Sequence, residues 1–265
     1  MISTINDKIG IIGGGRMGSR IAKSLGEVYE VILYDSNPDN ISKDILASVS
    51  VEIKNSLEDL KDCKLIIEAI SENLEAKLNL FSEIEELVSK DTIIATNTSS
   101  LSINELGSQL LYKERFLGLH FMNPADKNEL VEVIKSRHTS DEVVEDSIQV
   151  LSVIQKTGIV VEDRPGFVVN RLLLPMINDA INMLNDNVAT AQDIDKIMTI
   201  GAKHPIGPLA LADLIGLDVV LAILNNLYNR LRSDRFKASE LLKQYVSQGK
   251  LGKKTKIGIY DYSKF

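Results

Sequence analysis

Apolar residues along the first 160 positions fall into short runs separated by longer amphipathic stretches. The runs that we predict to be strands cover residues 8–12, 30–34, 64–70, 92–96, 115–120 and 130–134. Several of them are almost continuously apolar, which is typical of a parallel sheet whose two faces are both covered by helices.

The stretches between these runs carry apolar residues at every third or fourth position, which is the spacing of a helix with one buried face. We predict helices over residues 16–25, 73–88 and 141–155. Strands that alternate with helices form βαβ units, and such units build a doubly wound sheet of the Rossmann type.

The pattern changes after a last predicted strand at residues 158–162. Residues 163–166 read Asp-Arg-Pro-Gly, and a helical period of apolar residues then continues over most of the remaining chain. Proline and glycine interrupt regular structure, so this is the natural place for a domain boundary. We therefore predict a Rossmann-type α/β domain over residues 1–164 and an all-helical domain over residues 165–265.

Composition narrows the class of protein. Hydrophobic residues make up 44% and charged residues 25% of the 265 positions, which excludes disorder, collagen and coiled coil. No apolar run reaches the about 20 residues that span a bilayer, and the polar N-terminus lacks the apolar centre of a secretory signal. A formal charge of −7 argues against nucleic acid or an anionic membrane as partner. We expect a cytoplasmic protein.

Cysteine and histidine are scarce. The chain contains one cysteine, Cys63, and three histidines. A single thiol excludes a disulfide framework within the chain, and so few ligands make a structural metal site unexpected.

A glycine-rich sequence directly follows the first predicted strand and precedes the first predicted helix. Gly13, Gly15 and Gly18 fit the pattern G-x-G-x-x-G. The first glycine permits a tight turn, the second lets the backbone approach a pyrophosphate, and the third lets helix and strand pack closely. We predict a dinucleotide site that includes Arg16 and Met17, although Arg16 would fit a solvent-facing position equally well. The alternative for the whole motif is a structural turn.

An acidic residue stands where this type of site requires one. Asp35 ends the second predicted strand, 17 residues beyond Gly18. A carboxylate at this point hydrogen-bonds the ribose 2′-hydroxyl of NAD and would repel the 2′-phosphate of NADP. No arginine follows at residues 36–38 to hold that phosphate. The sequence therefore predicts NAD as the cofactor.

A histidine and a glutamate stand on consecutive predicted strands. His120 ends one strand at the sheet edge where open α/β sheets bind ligands, and Glu132 lies in the middle of the next, between two valines. A carboxylate in an apolar strand needs a partner, and an imidazole held by a carboxylate is a common general base. The alternatives are a histidine of structural role at a strand end and a water-facing glutamate on an edge strand.

Further polar residues follow other strands. Ser99 comes after the strand at 92–96, and Glu72 comes after the strand at 64–70. Ser99 would also fit a helix cap. Asn170 opens the helical domain within an apolar run, where its amide needs hydrogen-bond partners.

Several spaced motifs resemble one enzyme family in sequence and in order. They are Asn97-Thr98-Ser99-Ser100-Leu101, His120-Phe121-Met122-Asn123-Pro124, Leu130-Val131-Glu132-Val133-Ile134 and Pro165-Gly166-Phe167-Val168-Val169-Asn170-Arg171. With them, nearly the whole chain resembles the 3-hydroxyacyl-CoA dehydrogenase family, and within it the short bacterial type that acts on 3-hydroxybutyryl-CoA.

The resemblance implies NAD-dependent interconversion of a short 3-hydroxyacyl-CoA and a 3-oxoacyl-CoA by hydride transfer. It implies that His120 is the general base and Glu132 its partner, and that the helical domain forms a homodimer. The remaining site residues that it implies are Ser99, Lys77, Asn123 and Asn170 for the substrate, and Glu72 and Asn97 for the cofactor.

Two departures from the family lie on the side expected to bind the substrate. The segment of residues 36–62 is shorter than the projecting helical pair that helps to hold CoA in the family. Residues 125–129 read Ala-Asp-Lys-Asn-Glu, where the family usually has an apolar run. We expect Lys77 to be an exposed contact for the phosphates of CoA.

Two other functions are compatible with these residues. One is an NAD-dependent dehydrogenase of a free hydroxy acid on the same scaffold. The glycine motif also resembles the 3-hydroxyisobutyrate and 6-phosphogluconate dehydrogenases, but those use a lysine base on a helix, unlike the placement of His120 and Glu132. The other is a non-catalytic NAD-binding protein, which a turnover assay would identify.

Overall fold

The computed structural model describes residues 7–263. The chain divides into two compact units, the first ending at Phe167 and the second beginning at Val168. The sequence-based boundary at 164–165 lies three residues earlier, within the turn that follows the last strand.

The first unit contains one eight-stranded sheet in the order β3-β2-β1-β4-β5-β6-β7-β8. Its strands are β1 (Lys8–Ile12), β2 (Glu30–Tyr34), β3 (Val51–Lys54), β4 (Leu65–Glu68), β5 (Ile93–Thr96), β6 (Phe116–Phe121), β7 (Leu130–Lys135) and β8 (Thr157–Glu162). Its helices are α1 (Arg16–Leu25), α2 (Lys43–Leu46), α3 (Leu74–Leu87), α4 (Ile103–Gly107) and α5 (Asp141–Val153). The Rossmann-type architecture is confirmed.

The alternation of side chains along β1 explains why helices cover both faces of the sheet. Ile9 and Ile11 are buried in one apolar cluster with Ile21 of α1. Ile12 points to the other face, in a cluster with Phe81 of α3. Because successive side chains of a strand point to opposite faces, an almost continuous apolar run is what this position requires.

One pair of strands departs from the parallel pattern. β6 and β7 are antiparallel, whereas all the other neighbouring strands described in the sheet are parallel. Residues 122–129 connect β6 to β7 without a helix, and a parallel pair needs a longer crossover connection. The short connection therefore sets β7 antiparallel, with His120 directly opposite Glu132.

The second unit is helical, as predicted. Its helices are α6 (Val169–Asn185), α7 (Ala191–Gly201), α8 (Pro208–Ile215), α9 (Leu217–Leu231) and α10 (Glu240–Ser247). Their apolar faces form one cluster, to which Leu174, Leu209 and Leu224 contribute fully buried side chains.

No single helix within residues 7–263 has the length and apolar character needed to cross a membrane. Judged by length and composition alone, one pair of helices meets the criterion together, namely α8 and α9, which are bent by 96° relative to each other.

Candidate active site

The turn between β1 and α1 can be built only with glycine at two positions. Gly13 has a φ of +106°, and a Cβ there would lie 2.6 Å from the carbonyl oxygen of Ala69. A Cβ on Gly18 would lie 1.8 Å from the carbonyl oxygen of Gly13. Above Gly15, in contrast, no atom lies within 4 Å of a Cβ position. The turn is therefore tightly packed on the side that faces the protein and open on the other side, so that a ligand can approach its backbone closely.

The first turn of α1 presents backbone donors at this opening. Gly15 caps the helix without a side-chain hydrogen bond, and no acidic residue occupies the first turn. The N-terminal N–H groups of a helix lack intrahelical acceptors and favour an anion such as a pyrophosphate. Arg16 is exposed, whereas the side chain of Met17 packs against the core.

Asp35 directly follows β2, and its carboxylate lies beside the glycine turn. Its Oδ2 accepts a hydrogen bond from the N–H of Gly14 at 2.7 Å, and its Oδ1 accepts from the N–H of Asn37 at 2.8 Å and from Nδ2 of Asn40 at 3.0 Å. A cavity of about 290 Å³ adjoins it, lined in part by Gly13, Tyr34 and Asp35. The open turn, the helix N-terminus and this carboxylate together fit a dinucleotide.

His120 and Glu132 form a hydrogen-bonded pair at the centre of the β6–β7 ladder. Nδ1 of His120 lies 2.8 Å from Oε2 of Glu132, and the two residues are only 7% and 2% exposed. A carboxylate at this distance favours the tautomer with the proton on Nδ1, which leaves Nε2 to exchange a proton with a ligand. The ring of Phe167 lies 5.6 Å from that of His120, centroid to centroid.

The end of β5 is tied to the end of β6 beside His120. Oδ1 of Asn97 accepts a hydrogen bond from the N–H of Phe121 at 2.9 Å. Ser99 follows in the same loop, and its N–H donates to Oε1 of Glu72 at 3.0 Å. The structure thus brings together His120, Asn97 and the Ser99 loop at one edge of the sheet. Within the second unit, Asn170 is the second residue of α6.

Lys77 does not lie where the sequence analysis placed it. The residue is 1% exposed, and its Nζ pairs with Glu68, which is fully buried at the end of β4. It is therefore not an exposed phosphate contact, and that expectation is wrong. A signal was available in the sequence, because position 77 precedes the buried Phe81 and Ile84 by four and seven residues and so shares their face of α3.

The segment of residues 125–129 is attached to α1. Asp126 pairs with Arg20 of α1, and Nζ of Lys23 lies 3.7 Å from its other oxygen. Burial alone would raise the pKa of Asp126, but the hydrogen bond and charge of Arg20 outweigh it and hold that pKa below its usual value. Residues 125–129 were expected to lie on the substrate side. Asp126 instead contacts α1, the helix of the predicted nucleotide site. Asn123, in the same loop, is exposed.

Metal binding finds no support among the described residues. They contain no group of three or more histidine, cysteine, aspartate or glutamate side chains that could hold an ion. Cys63 is buried and has no disulfide partner.

Comparisons with known proteins agree over nearly the whole chain. Residues 42–164 match the family described as 3-hydroxyacyl-CoA dehydrogenase, NAD binding domain, and residues 166–262 match its C-terminal domain. A 3-hydroxybutyryl-CoA dehydrogenase of Clostridioides difficile is 42% identical, over 97% of this chain and 100% of the relative. A probable 3-hydroxybutyryl-CoA dehydrogenase of Bacillus subtilis is 38% identical, over 96% and 97%.

A solved structure gives the same result. The (S)-3-hydroxybutyryl-CoA dehydrogenase of Ralstonia eutropha superposes with a TM-score of 0.91 at 35% identity, and the match covers 97% of this chain and 99% of that one. The alignment with the Clostridioides difficile protein runs over 282 positions, more than the 265 residues of this chain. It therefore includes positions that have no counterpart here.

Proposed function

This chain belongs to the 3-hydroxyacyl-CoA dehydrogenase family, and we propose that it interconverts a short 3-hydroxyacyl-CoA and the corresponding 3-oxoacyl-CoA. It is an NAD-dependent oxidoreductase, as its NAD-binding domain and its relatives show. The observation that carries the proposed mechanism is the hydrogen bond between His120 and Glu132, 2.8 Å long and nearly buried.

His120 acts as the general base in this proposal. Its Nε2 removes the proton of the substrate hydroxyl, while Glu132 holds the ring and stabilises the imidazolium that forms. The bound dinucleotide supplies the hydride acceptor for oxidation and, in its reduced form, the hydride donor for the reverse direction. In the reverse direction, the imidazolium of His120 returns the proton to the carbonyl oxygen.

The other predicted site residues position the two ligands. Ser99 and Asn170 bind the reacting oxygen, and Asn123 contacts the substrate. The turn between Gly13 and Gly18, with Arg16 and Met17, holds the pyrophosphate. Asp35 holds the adenosine ribose, and Glu72 and Asn97 belong to the cofactor side. The open space above Gly15 and the contact of Asp35 with Gly14 support the part of this assignment that places the dinucleotide at the glycine turn and Asp35.

Substitution of the pair tests the mechanism. His120→Gln should lower kcat by about 100-fold or more, the usual contribution of a positioned base, while the Kd for NADH stays near that of the wild type. Glu132→Gln should also lower kcat, because the ring loses its charged partner. His138→Gln, at an exposed histidine, is the control. Retention of most of the turnover by His120→Gln would refute the proposed base.

The CoA ester is supported by the names of the relatives, and a free hydroxy acid is the second candidate. The short segment of residues 36–62 favours the second candidate, because none of its elements is longer than four residues: it holds α2, β3 and two 3₁₀ helices, Pro38–Asn40 and Leu57–Leu60. NADH-dependent reduction of acetoacetyl-CoA and of acetoacetate, compared at low and high salt, decides between them. A clear preference for the ester supports CoA recognition, and equal efficiency without a salt effect favours the free acid.

We also propose a homodimer that forms through the second unit. Its surface exposes the apolar side chains Leu172, Met183, Val188, Ile197 and Ile200. Several of these line a mainly apolar cavity of about 500 Å³ within the unit. A patch of this kind is typical of a subunit interface. Sedimentation velocity of the wild type and of Ile197→Glu tests the dimer, because a charge in this patch should shift the protein towards the monomer.

We also propose a cytoplasmic location, which cell fractionation tests.

A further inference from the structure

Four donors of the loop that carries Ser99 bind the same carboxylate oxygen. Oε1 of Glu72 accepts hydrogen bonds from Oγ1 of Thr98 at 2.6 Å, from Oγ of Ser100 at 2.8 Å, and from the N–H groups of Ser100 at 2.9 Å and Ser99 at 3.0 Å. The hydroxyl of Ser99 lies 3.5 Å from the same atom. The conformation of residues 98–100 therefore depends in part on the position of this oxygen, together with the hydrogen bonds that Oγ1 of Thr98 accepts from the N–H groups of Ser100 and Leu101.

The buried ammonium group of Lys77 lies next to the carboxylate of Glu72. Nζ of Lys77 lies 3.6 Å from Oε2 of Glu72 and pairs with Glu68 on its other side. Glu68 is fixed in turn by the hydroxyl of Thr96, which donates at 2.6 Å, and by the N–H of Ile70, which donates at 2.7 Å. Because both Lys77 and Glu68 are almost fully buried, neither can reorient without breaking these bonds.

The electrostatics agree with this arrangement. Burial alone would raise the pKa of Glu72, but the hydrogen bond from Thr98 and the charge of Lys77, followed by the bonds from Ser100 and Ser99, hold that pKa below its usual value. Glu72 is thus ionised at neutral pH, and hydrogen bonds to an ionised acceptor are about twice as strong as those between neutral groups.

We propose that Glu72 is a positioning residue for Ser99, and that the Lys77–Glu68 pair aims its carboxylate at the Ser99 loop. This rests on the proposed function, in which Ser99 binds the reacting oxygen. Small displacements of a positioned group lower turnover far more than they lower stability. Glu72 therefore acts on kcat through the hydroxyl of Ser99, in addition to the predicted place of its side chain near the cofactor.

A double-mutant cycle on turnover tests this proposal. Glu72→Gln keeps the shape of the side chain but replaces the charged acceptor with a weaker one and turns an amide N–H towards Lys77. It should lower kcat by about tenfold at saturating NADH, a loss larger than any accompanying change in the Kd for NADH. In the Ser99→Ala background, the same substitution should have almost no further effect, because the hydroxyl that Glu72 places is absent.

The matched control is Glu75→Gln, which removes the same charge at an exposed position in the first turn of α3. It should leave kcat and the Kd for NADH near those of the wild type. Independent effects of Glu72→Gln and Ser99→Ala, which multiply in the double variant, would overturn the proposal. So would a loss of activity by Glu72→Gln that a weaker Kd for NADH fully explains, since Glu72 would then act as a cofactor contact only.

Amide hydrogen exchange separates this proposal from the proposed function. Glu72→Gln should speed exchange at the N–H groups of Ser99 and Ser100, and Glu75→Gln should not. This measurement needs no substrate. Faster exchange in a protein that fails to turn over acyl-CoA would count against the proposed function alone, whereas unchanged exchange at both amides would overturn the positioning role itself.

Discussion

Replacement of Lys77 by methionine should destabilise the first unit strongly while leaving its surface unchanged. Methionine has nearly the length of the lysine stem and no charge, so it fills the same space on the buried face of α3. The substitution leaves the carboxylate of Glu68, which is 0% exposed, without its cation.

The magnitude follows from what Glu68 keeps. Removal of one partner of a buried ion pair costs about 3–5 kcal/mol, because the other charge stays buried and uncompensated. Glu68 retains two donors, the hydroxyl of Thr96 and the N–H of Ile70. The expected loss in the free energy of unfolding is therefore at the lower end, about 3 kcal/mol. Replacement of an exposed lysine that only contacts phosphate would lower the free energy of unfolding by about 1 kcal/mol or less.

The loss should depend on pH. Burial already raises the pKa of Glu68 above its ordinary value, and removal of Lys77 raises it further. A carboxyl whose pKa is higher in the folded than in the unfolded state stabilises the fold below the unfolded pKa, and this contribution is lost as pH rises through the folded pKa. The loss in the free energy of unfolding caused by Lys77→Met should therefore be larger at pH 8 than at pH 5.

Urea unfolding followed by circular dichroism measures this effect, because the chain contains no tryptophan. Lys90→Met, at an exposed lysine just after α3, is the control and should change stability by less than about 0.5 kcal/mol. Adding Glu68→Gln to Lys77→Met should recover part of the loss, since no buried charge remains. A loss below about 1 kcal/mol that does not vary with pH would refute the buried-pair reasoning.

Three further substitutions test other parts of the molecule. Asp35→Ala should raise the KM for NAD and narrow the preference for NAD over NADP, and a wild-type enzyme that prefers NADP would contradict the role of Asp35. Asp126→Asn should lower the melting temperature at pH 7. Because the pKa of Asp126 is lowered in the folded state, the difference in melting temperature from the wild type should shrink as pH falls below about 4. A difference that stays constant with pH would contradict the pairing with Arg20. Asp213→Asn should cost the second unit about 1–3 kcal/mol in thermal unfolding, because this buried carboxylate accepts from the N–H groups of Ile259 and Tyr260, and an unchanged melting temperature would contradict that.

Local features of this protein were determined by the sequence itself. The spacing of apolar residues predicted β1, β2 and α1 with the bounds that the structure has. The glycine turn and Asp35 were equally visible, because a strand, a turn and a helix that follow one another directly need only short-range rules of steric fit and periodicity. The prediction that Glu132 partners His120 also agrees with the geometry, since a carboxylate inside an apolar strand requires a nearby partner.

Partners far apart in the chain were decided only by the tertiary structure. Asp126 meets Arg20 across 106 positions, and Glu72 meets the Ser99 loop across 27. The sequence shows that Lys77 shares a helix face with buried residues, but it does not show that Glu68 stands opposite. The physical reason is that periodicity fixes the face on which a side chain lies, whereas the charge that meets it is set by which strands and helices pack together, and that depends on the whole fold.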